Sequence, residues 1–217
     1  ALSGHRRTAD LSVSDPTIRP NHRLKGCHLP LVLASGSPRR LDLLRQIGIT
    51  PSAVDVPHVD EAALPRELPV AYTKRIAMEK LNAVAPRHEG SYVLAADTVV
   101  ASGRRILPKA EDATTARKCL ALLSGRRHKV IGGIAIAAPS GKRALRVIRT
   151  DVVFKRLSDA EIERYIASGE WHGKAGGYAV QGVAAAFIPH IAGSYSNIVG
   201  LSLSDTQAML TGLGFQV

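Results

Sequence analysis

The stretch "LVLASGSPRRLDLLRQIGI", residues 31–49, holds the first folding unit of the chain. It opens on a short apolar run suited to a strand buried on both faces. Its second half spaces Leu41, Leu43, Leu44 and Ile47 along one helical side, with Gly48 as a stop. Between the two, Ser35, Gly36, Ser37, Pro38, Arg39 and Arg40 stand at the mouth of the helix. A strand that feeds a small-residue turn and then a helix presents unpaired backbone N–H groups at the positive end of the helix dipole, which suits an anion. Arg39 and Arg40 add charge there, and the planar fork of arginine matches phosphate oxygens two at a time. A polyanionic ligand accounts for the pair; so does an ordinary helix start with surface arginines. The segment is neither a Walker A loop nor a GxGxxG turn.

Outward from this unit, strand and helix signals keep alternating. "LPVAYTKRIAMEKLNAVAPRH", residues 68–88, predicts a helix on which Val70, Ile76, Ala77, Leu81 and Val84 recur until Pro86 closes it. "SYVLAADTVVA" over 91–101 predicts a strand. "EDATTARKCLALLSG" over 111–125 predicts a helix with acids in its first turn and a glycine at its end. "HKVIGGIAIAA" and "RALRVIRTDVVFKRL" predict strands joined by a turn at Pro139 to Gly141. "SDAEIERYIASG" sets Ser158 and Glu161 at capping-box spacing. A glycine-rich portion follows over 173–201, and a short helix begins at about Ser204. The class is mixed α/β, in one domain spanning residues 30–217. Residues 1–29, polar and rich in turn formers, form a flexible extension without the apolar centre of a secretory signal.

Composition narrows the function. Hydrophobic residues make up 45% of the 217, with no apolar run near twenty, so a membrane-spanning helix is not expected. The two cysteines, Cys27 and Cys119, lie far apart without CxxC or Cys/His spacing, which argues against a disulfide framework or a structural zinc and fits a reducing cytoplasm. The net charge of +11 invites a nucleic-acid reading, but the charge is dispersed and aromatics are only 4%; a site for small anionic substrates explains part of it and a solvated basic surface most of the 29 Lys and Arg. The histidines show no zinc spacing and no GxSxG elbow occurs, so zinc hydrolysis and serine-esterase chemistry have no support in the sequence.

Single residues then stand out. Asp97 follows the apolar "YVLAA", where a carboxylate is costly unless it meets a cation or a paired partner. It is the first catalytic candidate; an Asp near a strand end also suits a turn hydrogen bond. Glu61, in "HVDEAALP", lies in a polar loop and alone reads as a solvated acid. Lys80, Lys109 and Lys174 each read as exposed when taken singly. Gln181 offers a donor and an acceptor together, as a base edge requires, or as a loop cap uses.

The motifs "LVLASGSPRRLDLL", "VDE", "RIAMEK", "LAADTVV", "LPKAED", "LSGRRHKV", "KAGGYAVQG" and "GSYSNIVGL" occur in the order found in the Maf family of nucleoside triphosphate pyrophosphatases, which the chain resembles over residues 31–215. The resemblance implies a mixed twisted β-sheet flanked by helices, an elongated two-lobed domain with a central cleft like that of the inosine triphosphate pyrophosphatases, and a homodimer. It implies hydrolysis between the α and β phosphates, giving a monophosphate and pyrophosphate, with Mg²⁺ or Mn²⁺. Asp97 matches the catalytic carboxylate, as general base or metal ligand, and Glu61 its partner in the metal site. Ser37, Arg39, Arg40, Lys80, Lys109 and Lys174 match positions that hold the triphosphate.

At the positions that separate branches, the chain has Arg39, Thr98 and Gln181, as in the dTTP/UTP branch, where the 7-methyl-GTP branch tends to tryptophan, glutamine and glutamate. A neutral amide suits a uracil or thymine edge, whereas a methylated, positively charged guanine favours a carboxylate. The chain departs from the family at Ala110, at a glycine in "VIGGIA" where threonine is frequent, and at Ser202 where proline is frequent. Two other classes stay open: a nucleotide-binding regulator of cell division that does not turn its ligand over, and a nucleic-acid binder suggested by charge alone.

Overall fold

The computed structural model describes residues 29–216. Apart from Leu29, the expected extension over residues 1–29 lies outside the described residues. β1 (Leu31–Ala34) is buried throughout and runs into α1 (Pro38–Gln46). Pro38 opens that helix, where its missing N–H is one the helix cannot use, and Gly48 at φ 77° follows its end. β2 (Ala53–Val54) pairs parallel with β1 on one side. The chain then passes through α2 (Pro69–Val84) to β3 (Tyr92–Ser102), which pairs parallel with β1 on the other side.

From β3 onward the pairing is antiparallel. β4 (Arg105–Leu107) folds back on the end of β3, while β6 (Arg127–Ala137) and β7 (Arg143–Val153) run the length of it as a hairpin, and β9 (His190–Ala192) caps the far edge. The sheet order is β2-β1-β3-β6-β7-β9. β5 (Lys109–Ala110) and β8 (Lys174–Ala175) form a separate two-stranded ribbon. The helices are completed by α3 (Ala113–Leu123), α4 (Asp159–Ser168), α5 (Tyr195–Val199) and α6 (Leu203–Gly212). The expected mixed sheet flanked by helices is what forms, and Ser158 and Glu161 make the full capping box on α4. Elements of two to five residues, β2, β4, β5, β8, β9 and α5, are additions to the sequence reading.

Side chains divide between the sheet faces with period two, as a pleated strand requires. On one face Val32, Ala34, Val93, Ala95, Ala135 and Ala137 pack against Ala77, Leu81 and Val84 of α2. Further along that face Val99, Ala101 and Ile131 meet Tyr72 and Ile76. Leu31, Leu33, Leu94, Ile134 and Ile136 point the other way into the larger core, with Leu43, Leu44 and Leu120. The small residues set the spacing. Gly133 lies opposite Asp97, and a Cβ there would sit 2.7 Å from the Thr73 carbonyl oxygen of α2. On the opposite face, a Cβ at Gly132 would sit 2.0 Å from Asn197 Oδ1 of α5. The departure from threonine in "VIGGIA" thus makes room for helices on both sides. Ser202, the other departure, is the buried N-cap residue of α6 and donates to Asp205 Oδ2 at 2.6 Å.

A titratable group sits in the larger core. His128 on β6 is 2% exposed, with Nε2 2.8 Å from Tyr178 Oη and its ring edge-on to Phe154 and Tyr178. Burial lowers its pKa from 6.5 to about 4, against a weaker opposing pull from Asp151. Between those two values the unfolded chain takes up a proton that the folded chain refuses, so stability is full above pH 6.5 and drains as pH falls toward 4. The loss amounts to about 3 kcal/mol. Thermal unfolding followed from pH 7 to pH 4 will show this slope, and His128→Gln will flatten it.

Candidate active site

β1 stops at Ala34, opposite Ala95, and β4 first pairs at Val100. On that side β3 therefore has no strand partner from Ala96 to Val99 among the described residues. A cleft of about 420 Å³ opens in this gap, outside the carboxyl end of β1, where open α/β sheets offer room for ligands. Ser37, Arg39, Arg40, Glu61, Lys80, Asp97, Thr98, Lys109, Lys174 and Gln181 all line it. The β5–β8 ribbon brings Lys109 and Lys174 to one wall, through the register Lys109 to Ala175 and Ala110 to Lys174. Gly176 and Gly177 carry the chain away from β8 at φ 69° and 70°. Only glycine adopts these angles without strain, and a Cβ at Gly176 would meet Val100 at 2.8 Å.

The acids converge on one ammonium. Asp97 points to the α2 face and is 4% exposed; its Oδ1 accepts from Lys80 Nζ at 2.8 Å. The same nitrogen lies 2.7 Å from Glu61 Oε1, and Glu61 Oε2 accepts from Lys109 Nζ at 2.8 Å. Tyr72 Oη fixes the Glu61 loop by donating to the Glu61 carbonyl at 2.8 Å. Burial pushes the Glu61 pKa upward, but the hydrogen bonds from Lys109 and Lys80 outweigh it and hold the carboxyl at about 2, so it is ionised at any working pH. Lys80 is buried rather than exposed, because it occupies the inward stripe of α2 with Thr73, Ile76, Ala77, Leu81 and Val84. Asp97 Oδ2 is buried and has no hydrogen-bond partner among the described residues.

The two arginines take different places. Arg40 is 9% exposed: Nε donates to the Gly200 carbonyl at 2.9 Å, Nη1 to Ser35 Oγ at 3.0 Å and Nη2 to Thr98 Oγ1 at 3.3 Å. Burial works to lower its pKa and the charge of Asp97 opposes that. Arg39 lines the cleft with no ion pair or hydrogen bond from its side chain to another described residue, and partial burial lowers its pKa. Lys174 Nζ donates to the His172 carbonyl at 3.2 Å; burial, then repulsion from Arg39, lowers its pKa. The α1 helix has no acid in its first turn, so its dipole meets Arg39 and Arg40 at the wrong end. An anion bound at this turn relieves that repulsion. Gln181 is exposed at the rim, with Thr98 deeper in the wall.

Sequence reasoning gave no site role to Tyr178 or Gly200, and placed Ser35 in the turn without a role of its own; all three line the cleft. Ser35 stands in the quoted turn two residues before Ser37, but its importance comes from accepting bonds from Arg40 and from the Ser37 N–H at 3.2 Å. Gly200, at φ 146°, presents its carbonyl to Arg40 and Thr98. In the sequence it stands in the motif "GSYSNIVGL", where nothing local marks its carbonyl as a contact.

Fold and cleft together define an α/β protein whose site sets a carboxylate pair among arginines and lysines at a helix N-terminus. The family model for Maf-like proteins matches residues 30–213, and the chain belongs to that family. It is 65% identical over 185 residues to a dTTP/UTP pyrophosphatase of Paramagnetospirillum magneticum, covering 85% of this chain and 97% of that one. It is 59% identical over 187 residues to a dTTP/UTP pyrophosphatase of Rhodospirillum rubrum, covering 86% and 89%. Among solved structures, a HAM1 protein from Coxiella burnetii is similar with a TM-score of 0.48 at 17% identity, over 85% of this chain and 99% of that one.

Proposed function

We propose that the protein is a nucleoside triphosphate pyrophosphatase that prefers dTTP and UTP, cleaving between the α and β phosphates with the help of a divalent metal ion. The observation that carries this reading is the meeting of Asp97 and Glu61 at one buried ammonium, in a cleft that also holds Arg39, Lys109 and Lys174. The names of the 65% and 59% identical relatives support the substrate class.

Asp97 is oriented by Lys80 through Oδ1, which leaves the buried, unpartnered Oδ2 to take a proton from the attacking water. The water oxygen joins the α-phosphorus, the bond from that phosphorus to the bridging oxygen breaks, and pyrophosphate leaves with the bonding pair. Arg39, Lys109 and Lys174 offset the charge that builds on the leaving group, and the backbone N–H groups of the Ser37 turn add to them. Asp97 and Glu61 are the residues that would hold the metal, an oxygen pair suited to magnesium or manganese, which when bound would polarise the phosphate. The two carboxylates already meet at one cation, the Lys80 ammonium, and their hard oxygens fit such an ion. No group of three or more His, Cys, Asp or Glu converges among the described residues, so phosphate and water oxygens would complete its shell. Arg39, Thr98 and Gln181 select the base, the Gln181 amide pairing with a uracil or thymine edge.

The test is pyrophosphate release from dTTP, UTP, CTP, 7-methyl-GTP and dITP, with Mg²⁺, with Mn²⁺ and with a chelator. The expected result is fastest release from dTTP and UTP, abolished by the chelator. A lead for 7-methyl-GTP would overturn the base preference, undiminished turnover in chelator the metal, and no release from any substrate the reaction. From the family resemblance and the cysteine usage we also propose a homodimer in the cytoplasm, and light scattering is expected to give the mass of two chains. Among the described residues, no helix is long and apolar enough to cross a membrane.

A further inference from the structure

Two adjacent arginines at one helix start look interchangeable as phosphate contacts, and the family resemblance groups them so. Their surroundings differ. Arg39 lines the cleft with its guanidinium bonded to no other described residue, whereas Arg40 has turned its fork inward onto three protein oxygens. Those oxygens belong to three separate segments: Ser35 in the β1–α1 turn, Thr98 on β3, and the Gly200 carbonyl after α5. They lie 5, 58 and 160 residues from Arg40 in the sequence.

We propose that Arg40 is a positioning residue: it holds Ser35, Thr98 and Gly200 as one bonded unit and thereby sets the phosphate-binding turn against the wall that reads the base.

The hydrogen-bond inventory of the two hydroxyls supports this. A hydroxyl has one proton to give and two lone pairs to receive. Ser35 Oγ receives from both Arg40 Nη1 and the Ser37 N–H, so both lone pairs are filled and its proton alone remains to be donated. Ser35 is 4% exposed and lines the cleft, which leaves a phosphate oxygen as the acceptor within the site. Thr98 Oγ1 receives from Arg40 and donates to the Gly200 carbonyl at 3.2 Å, so its proton is not available to a base. Its influence on base choice therefore passes through the side chain's shape and through Arg40. The two hydroxyls have no hydrogen bond to each other, and the guanidinium is their shared link.

The inference rests on the pyrophosphatase reading, and the experiment separates the two. Wild-type release of pyrophosphate from dTTP is measured first; its absence would remove the reading itself. Given turnover, Ser35→Ala and Thr98→Val are combined in a double-mutant cycle on kcat/KM, beside a second cycle of Ser35→Ala with Arg39→Lys. Each single variant is expected to lose about tenfold or more. The Ser35/Thr98 double variant is expected to be no worse than the poorer single, because either change already breaks the link that the guanidinium makes between the two hydroxyls. The Ser35/Arg39 losses are expected to multiply. Arg40→Lys keeps the charge but loses the fork. It is expected to match the Ser35/Thr98 double variant and to shrink the kcat/KM ratio of dTTP over CTP, as Thr98→Val does. Multiplying losses for Ser35 and Thr98, or near-wild-type activity with an unchanged base ratio in Arg40→Lys, would overturn the proposal. The cycle does not require the Arg40 variant to fold.

Discussion

Asp97→Asn will slow pyrophosphate release from dTTP by about 10³-fold while the protein keeps its fold, the size expected when a positioned general base is removed. Asparagine preserves the side-chain volume and an oxygen for Lys80 Nζ, which also keeps its 2.7 Å partner Glu61, so the buried ammonium is not stranded. What disappears is the second carboxylate oxygen, buried and unpartnered, that takes the proton. The loss should fall on kcat more than on KM, since Arg39, Lys109 and Lys174 still meet the triphosphate. Residual activity within tenfold of wild type would move the role of base to Glu61. The half-buried loop carboxylate would then have to work from a pKa of about 2, a poor match for a base at neutral pH.

Gly133→Val will cost the protein a large part of its stability. The added Cβ meets the Thr73 carbonyl oxygen at 2.7 Å, Thr73 Cγ2 at 2.9 Å and Ala77 Cβ at 3.2 Å. The first of these is helix backbone, so α2 must shift as a unit, and valine brings two further methyl groups. Overpacking of this kind costs about 3 kcal/mol. At 2–4 °C per kcal/mol for a domain of this size, the midpoint of thermal unfolding should drop by roughly 10 °C. The same shift carries Lys80 away from Asp97, so turnover will fall with it. Gly141→Ala is the control: at φ 81° with nothing within 4 Å, it meets only the backbone penalty of about 1 kcal/mol. Equal midpoints for the two variants would show that the Gly133 contact is not what fixes α2.

The sequence by itself determined those features that repeat over a local period or sit at an element boundary. Strand-like runs on either side of the Pro139 to Gly141 turn marked β6 and β7, an apolar run marked β3, helical spacing marked α1 and α2, acids before and a glycine after the helix marked α3, and Ser158 with Glu161 marked the start of α4. Asp97 was visible because a carboxylate in an apolar strand needs a partner, and Arg39 with Arg40 because two planar forks beside the free N–H groups of a helix start suit a polyanion. The partner of Asp97 was not visible. Lys80 lies 17 residues away, and its burial follows from being on the inward stripe of α2, which only the docking of that helix on β3 and β6 turns into a contact. Glu61, in a loop without a period, reads as solvated until Lys80 and Lys109 close on it. The ribbon that brings Lys109 and Lys174 together has two residues in each strand, too few for any pattern to register. Local chemistry names the residues that a buried or charged position constrains. Which of them meet, and whether an arginine faces the substrate or braces the turn behind it, is fixed by contacts between segments far apart in the chain, where no local spacing carries the information.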